Sequence, residues 1–255
     1  MSQAELAWLP QDNAFAVPAG EVQVWCVFLE RLAGENANFS QLLSPDEHEK
    51  AGRYYFQGHR DNYIIRRGVL RTLLGRYGDV DPQQVRFVYG RWGKPALDPE
   101  HHPGIDLNFN VAHSRDIALL AFARQAELGV DIEYLRPLPD AEQIAARYFS
   151  EHEQLTLAGI AQDQKMAAFY NCWTRKEAYI KALGSGLSTS LDSFAVSIVP
   201  GEPARLLQVD DKPDETGRWA MDSWQPGPGT IAALVVEGGP FAFNQQNLPA
   251  GPPPR

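Results

Sequence analysis

Two hydrophobic rhythms alternate along this chain. From Ser44 toward Leu74 the apolar residues keep helical spacing. Ser44-Pro45-Asp46-Glu47 opens that stretch with a capping serine, a proline at the first helical position and acids in the first turn. Gln57-Gly58 is the place where this helix would be interrupted. If the spacing runs through, Arg53, Arg60 and Arg67 recur every seventh residue, Arg71 follows one turn later, and all four share a face. Strand patterns follow at VRFVY (85–89), DLNFNVAHS (106–114), IALLAFA (117–123) and LGVDIE (128–133), the last two read as a hairpin joined by RQAE. Helical spacing returns with a capping start at Ser150-Glu151-His152-Glu153 and a longer amphipathic run, MAAFYNCWTRKEAYIKAL (166–183). FAVSIV (194–199) and TIAALVV (230–236) are further strands, and the end, GPPPR, is expected to be a disordered tail.

Three segments repeat in order at an offset of about 110 residues. RRGVLRTLLG (66–75) sits against RKEAYIKALG (175–184) without a gap, VDPQQVRFVY (80–89) against SLDSFAVSIV (190–199), and IALLAFA against IAALVVE (231–237). The fold class expected is therefore α+β, built of two similar α+β halves. The expected boundaries are 1–126, 127–245 and a tail at 246–255. A site would then lie in the cleft between the halves.

Within LGVDIE, strand alternation puts Val130 and Ile132 on one face and Asp131 and Glu133 on the other. Alone, this is more often a half-solvated strand with two surface acids. In the helix, Glu177 falls on or beside the stripe of Met166, Phe169, Trp173, Ile180 and Leu183, where a carboxylate is costly unless paired or bound to a cation. Lys181, four residues on, also makes it an ordinary helical ion pair. If Asp131, Glu133 and Glu177 converge, they offer three hard oxygen ligands suited to Mg²⁺, and the cation explains why two close carboxylates stay ionised.

Composition narrows the classes. The 255 residues, 44% hydrophobic and 22% charged, fit a globular protein without a membrane-length apolar run. The start, MSQAELAWLPQDNAF, lacks a secretory pattern, so the expected location is the cytoplasm. Cys26 and Cys172 are too few for a disulfide framework and read as core thiols. A net charge of −9 argues against general nucleic-acid binding. Yet Lys50, Arg53, Arg60, Arg66, Arg67, Arg71 and Arg76 face only Asp61 in their stretch, which points to one defined anionic ligand. Lys94, in Gly-Lys-Pro, and His113 at a strand end are compatible with phosphate. No Walker loop, G-x-G-x-x-G turn or G-x-S-x-G elbow is present.

Gly129-Val130-Asp131-Ile132-Glu133 and WTRKEAYIKALGSGL (173–187), about 45 residues apart, resemble the paired signatures of the Sfp-type 4′-phosphopantetheinyl transferases. The resemblance spans roughly Ser44 to Val199 and includes GKP (93–95), FNVAHS (109–114) and LDSFAV (191–196). It implies a pseudo-twofold fold with coenzyme A in the cleft between the halves. The implied reaction is Mg²⁺-dependent transfer of the phosphopantetheine arm to a serine of an apo acyl or peptidyl carrier protein, releasing adenosine 3′,5′-bisphosphate. It further implies that Asp131, Glu133 and Glu177 bind Mg²⁺, that Glu177 is the base for the carrier serine, and that Lys181 steadies the phosphates. Lys50, Lys94 and His113, with Arg91 beside them, would contact the 3′-phosphate end of coenzyme A. Ala112 stands where many members have serine, which removes one hydroxyl contact to phosphate. The partners expected are a carrier protein and coenzyme A, with no nucleic acid and no membrane, and a monomer that is itself a pseudo-dimer. The alternatives are a non-catalytic subunit binding coenzyme A or carrier protein, and an Mg²⁺-dependent phosphoesterase.

Overall fold

The computed structural model describes residues 15–248, an α+β arrangement of helices around two main sheets. Strand β1 (Glu21–Phe28) leads through a short helix α1 (Asn36–Ser40) to α2 (Pro45–Gly52) and the long helix α3 (Gln57–Gly78). A small hairpin of β2 (Phe87–Tyr89) and β3 (Pro95–Leu97) precedes β4 (Asn108–Ser114), β5 (Ile117–Ala123) and β6 (Leu128–Tyr134). Helices α4 (Ala141–Tyr148), α5 (Glu151–Gly159) and α6 (Lys165–Leu183) follow. The chain continues through β7 (Phe194–Val196), β8 (Leu206–Val209), the short α7 (Glu215–Arg218), β9 (Trp219–Trp224), β10 (Thr230–Glu237) and β11 (Ala242–Asn247).

One sheet has the order β11-β1-β5-β4 and the other β6-β10-β9. In each, the central strand, β5 or β10, is antiparallel to both the strand that opens its stretch of chain and the one just before it. The sheets face each other across an apolar layer that includes Val24, Cys26, Leu119, Val130, Ile132 and Leu234. Outside it, α3 covers the first sheet through Ile65, Val69 and Leu73 against Trp25, Leu120 and Phe122. On the other side α6 covers the second through Ala178, Tyr179 and Ala182 against Ala233 and Val235.

A shared device anchors each long helix. In the Ser44 capping box, Glu47 also accepts from Arg71 at 2.7 Å and from Arg67; Arg71 donates onward to the carbonyls of Pro82 and Val85, both at 3.0 Å. In the Ser150 capping box, Glu153 pairs with Lys176 at 2.8 Å, and Lys176 donates to the carbonyls of Leu191 and Phe194. A capping residue thus becomes the buried counter-charge of the neighbouring long helix.

Several expectations need correction. The helical stretch is interrupted, but before Gln57-Gly58: Gly52 ends α2, Phe56 takes extended backbone, Gln57 starts α3, and Arg53 leaves the face of Arg60, Arg67 and Arg71 to pair with Glu49 at the surface. IALLAFA and LGVDIE do not form a hairpin. Both edges of β5 are taken, by β1 and by β4, which turns into β5 through Arg115-Asp116 with Arg115 at φ 49°, and β6 pairs with β10 instead. The strand repeat is out of phase by one residue: Leu120 faces its helix, whereas the aligned Leu234 faces the opposite sheet. A shift of one residue restores the match. The end of the chain also differs, since β11 pairs in parallel with β1 as far as Asn247 and Leu248 is buried; of the expected tail, only 249–255 lie outside the described residues. Cys26 and Cys172 are free and buried, and burial pushes the Cys26 thiol up to about 11.

Candidate active site

Strands β4 and β6 are edge strands of different sheets that run side by side, and the seam between them carries the chemistry. The Asn110 side-chain oxygen accepts the Val130 amide at 3.0 Å, taking the place of a ladder partner. Across the strand from Val130, Gly129 presses on α6 so closely that a Cβ there would meet the carbonyl oxygen of Ala178 and the amide of Ala182. Only glycine permits this crossing. It brings the next outward residue, Asp131, to the α6 side chains one turn apart, Glu177 and Lys181.

Asp131 is buried and its Oδ1 accepts from Lys181 Nζ at 2.7 Å, while Lys181 also donates to the Val130 carbonyl at 3.2 Å. Asp131 Oδ2 is buried without a hydrogen-bond partner. Glu133 is half-buried and accepts from the Ser114 hydroxyl, at the end of β4, at 2.9 Å. All three carboxyls lie above their ordinary ionisation range. Burial is the first cause for each; the Asp131 charge adds to the effect on Glu133 and Glu177, and Lys181 opposes it in all three. Acids that raise one another, one with an orphaned buried oxygen, have the donor chemistry of a hard divalent cation. The side chains are not drawn into a ligating cluster: among the described residues no group of three Asp, Glu, His or Cys is gathered closely enough to hold a metal. Lys181 occupies one oxygen of Asp131 and Ser114 one of Glu133.

His113 stands on the other face of β4 from Ala112. Burial, then the cations of Arg66 and Lys181, push its imidazole down to about 4, although part of the side chain remains exposed. Arg66 is half-buried on α3, donates to the Asn62 carbonyl at 3.1 Å, and has no carboxylate partner among the described residues. Lys50 is exposed on α2 with its ammonium over Tyr63 at 5.7 Å. Arg91 lies exposed over Trp92 at 5.1 Å, and Trp92 packs against Gly186 beyond α6. Lys94 is engaged with protein groups: Glu127 at 2.8 Å and the carbonyls of Leu128 and Ala182 at 3.2 Å. Ala112 is buried in the layer between the sheets, so a serine hydroxyl here would enter apolar core, contrary to the expected phosphate contact. Sequence reasoning named Arg66 only as part of the cationic patch and Ser114 only as the neighbour of His113, and gave neither a place in the site.

Comparison with known proteins identifies the family. Residues 127–232 match the family described as the 4′-phosphopantetheinyl transferase superfamily, and residues 33–125 match the one described as 4′-phosphopantetheinyl transferase, N-terminal. The chain is 35% identical over 231 residues to the 4′-phosphopantetheinyl transferase HetI of Nostoc sp., covering 91% of this chain and 94% of that protein. It is 31% identical over 218 residues to the 4′-phosphopantetheinyl transferase Sfp of Bacillus subtilis, covering 84% and 92%. With the L-aminoadipate-semialdehyde dehydrogenase-phosphopantetheinyl transferase of Pongo abelii the identity is 27% over 220 residues, covering 82% and 71%. Shared signatures and near full-length similarity place this chain in the Sfp-type 4′-phosphopantetheinyl transferase family.

Proposed function

We propose that the protein transfers the phosphopantetheine arm of coenzyme A to a serine of an apo carrier protein, at the seam of β4, β6 and α6. The observation that carries this reading is the buried Asp131, half paired with Lys181 and half orphaned, beside two further acids. The carrier hydroxyl would attack the phosphorus bearing the pantetheine arm. A new oxygen–phosphorus bond forms, and the bond to adenosine 3′,5′-bisphosphate breaks. Glu177 would take the hydroxyl proton. Lys181, aimed by Asp131, would donate to a diphosphate oxygen as charge moves to the leaving group. Asp131, Glu133 and Glu177 would hold Mg²⁺, which when bound supplies charge neutralisation on the diphosphate. Lys50, Lys94 and His113, with Arg91 beside them, would meet the 3′-phosphate end.

We read the chain as two halves joined near residue 126, each with a long helix on its own sheet; the two family matches, which end at 125 and resume at 127, support that reading. A cleft made by halves of one chain needs no second subunit, so the working state is a monomer. Among the described residues no helix is long and apolar enough to cross a membrane, and the cytoplasm remains the proposed location. The test mixes protein, Mg²⁺ and coenzyme A with a panel of apo acyl, polyketide and nonribosomal peptide carriers and reads intact mass. A phosphopantetheine addition on at least one carrier is expected. A panel with no modified member overturns the assignment, and free phosphopantetheine released without any carrier points to a phosphoesterase instead.

A further inference from the structure

Most cations of α2 and α3 are engaged or lie out in solvent. Arg53 pairs with Glu49, and Arg67 and Arg71 share Glu47. Arg60 donates to the Tyr54 carbonyl at 3.2 Å and to the Gln57 side chain at 3.4 Å, and Arg76 is exposed at the far end of α3. Arg66 differs from these. It is half-buried and has no carboxylate partner among the described residues, and the polar groups beside it are neutral: the Asn62 carbonyl at 3.1 Å and the Tyr54 and Tyr63 phenols. A guanidinium taken out of water without a counter-charge is costly to the folded protein unless a ligand supplies one.

The neighbours of Arg66 say where that charge would sit. Phe109 and Val111 lie on the face of β4 that packs against α3, and strand alternation puts His113 on the same face. Besides burial, which acts most strongly, Arg66 and then Lys181 depress the His113 imidazole, so both cations stand near it. On the α2 side the Tyr54 and Tyr63 rings meet at 5.6 Å, and the Lys50 ammonium lies over Tyr63 at 5.7 Å. Lys50, Arg66 and His113 thus gather where α2, α3 and the end of β4 meet, with Lys181 at the border.

We propose that Arg66 is a further binding residue for coenzyme A, donating from α3 to the 3′-phosphate that Lys50 and His113 meet from α2 and β4. The identity of the ligand rests on the proposed transfer. In that reading Lys181 serves the diphosphate beside Asp131, which leaves Arg66, on the α3 side of His113, for the phosphate at the other end of the nucleotide.

The test uses wild type, Arg66→Met and Arg66→Lys. Calorimetry measures binding of adenosine 3′,5′-bisphosphate and adenosine 5′-monophosphate, carrier labelling compares coenzyme A with 3′-dephospho-coenzyme A, and ligand-free melting runs alongside. Arg66→Met is expected to lose about 10–100-fold in affinity for the bisphosphate and in kcat/KM for coenzyme A, while the two ligands lacking the 3′-phosphate change by less than about two-fold. Its ligand-free melting temperature should match or exceed that of wild type, because a buried cation without a counter-charge has been removed. Arg66→Lys keeps the charge and should recover part of the preference for the 3′-phosphate. Wild-type bisphosphate affinity in Arg66→Met overturns the proposal. So do equal losses for ligands with and without the 3′-phosphate, together with a lowered melting temperature, which make Arg66 a structural residue. Should wild type bind the bisphosphate yet modify no carrier, the proposed transfer falls and the calorimetry alone decides about Arg66; a wild type that binds neither nucleotide ends the proposal.

Discussion

Replacing Gly129 by alanine adds one methyl group where β6 crosses α6 in close contact. The new Cβ would stand within 3.0 Å of three main-chain atoms of α6: the Ala178 oxygen, the Ala182 nitrogen and the Lys181 carbonyl carbon at 2.9 Å. Ordinary carbon–oxygen contact is about 3.3–3.6 Å and the Ala178 oxygen would stand at 2.1 Å, so α6 must retreat by about 1.2–1.5 Å. None of the three atoms belongs to a flexible side chain that could turn aside. The helix would have to lift from Ala233 and Val235, which are fully buried beneath it. Over-packing a filled core costs about 1–3 kcal/mol and sometimes more, and a clash confined to backbone belongs at or above the top of that range, about 3 kcal/mol. The same movement would stretch the Asp131–Lys181 bond from 2.7 Å beyond hydrogen-bonding distance. Urea unfolding should therefore show a lower midpoint with an unchanged slope, and carrier labelling should fall in parallel. A Gly129→Ala protein with wild-type midpoint and labelling would refute the claim that this crossing sets the site.

Other outcomes follow from particular side chains. Lys176→Met leaves Glu153 buried without its counter-charge and should cost about 3–5 kcal/mol in equilibrium unfolding, with part of the loss recovered when Glu153→Gln is added; additive losses would contradict the pairing. The His113 imidazole should titrate near pH 4 by NMR in the ligand-free protein and move upward when coenzyme A binds. Because the folded pKa lies below the unfolded value, His113 contributes stability that is present at neutral pH and lost as pH falls from about 6.5 toward 4. His113→Gln should therefore narrow the acid loss of melting temperature, and an unchanged acid profile would contradict the shift.

Where a strand is a continuous apolar run or the capping chemistry is strong, the sequence was readable. IALLAFA, LGVDIE, TIAALVV and the Ser44 and Ser150 caps all fall where their patterns put them. β1, EVQVWCVF, was missed because Glu21 and Gln23 interrupt its apolar run, although the strand is covered on both faces, by α3 and by the second sheet. The edge strand AFNQQN is too polar to stand out, and in WAMDSW the pair Asp222-Ser223 breaks the apolar pattern. Partner choice was hidden as well. Nothing local tells that β5 spends both its edges on β1 and β4, so the hairpin with β6 looked natural. In the site, Asp131, Glu133, Glu177 and Lys181 could be named because their two segments resemble the paired family signatures, with strand and helix periodicity showing which faces they share. The roles of Ser114 and Arg66 depend on contacts between distant segments, which no local pattern encodes.

The central claim is that Asp131 and Glu177 act together on the diphosphate. Its most direct test is intact-mass labelling of an apo carrier, with coenzyme A and Mg²⁺, by wild type, Asp131→Ala and Glu177→Ala, each first checked for a cooperative melt. Loss of transfer in both variants, with the fold retained, is the predicted result; labelling at the wild-type rate by either folded variant would contradict it.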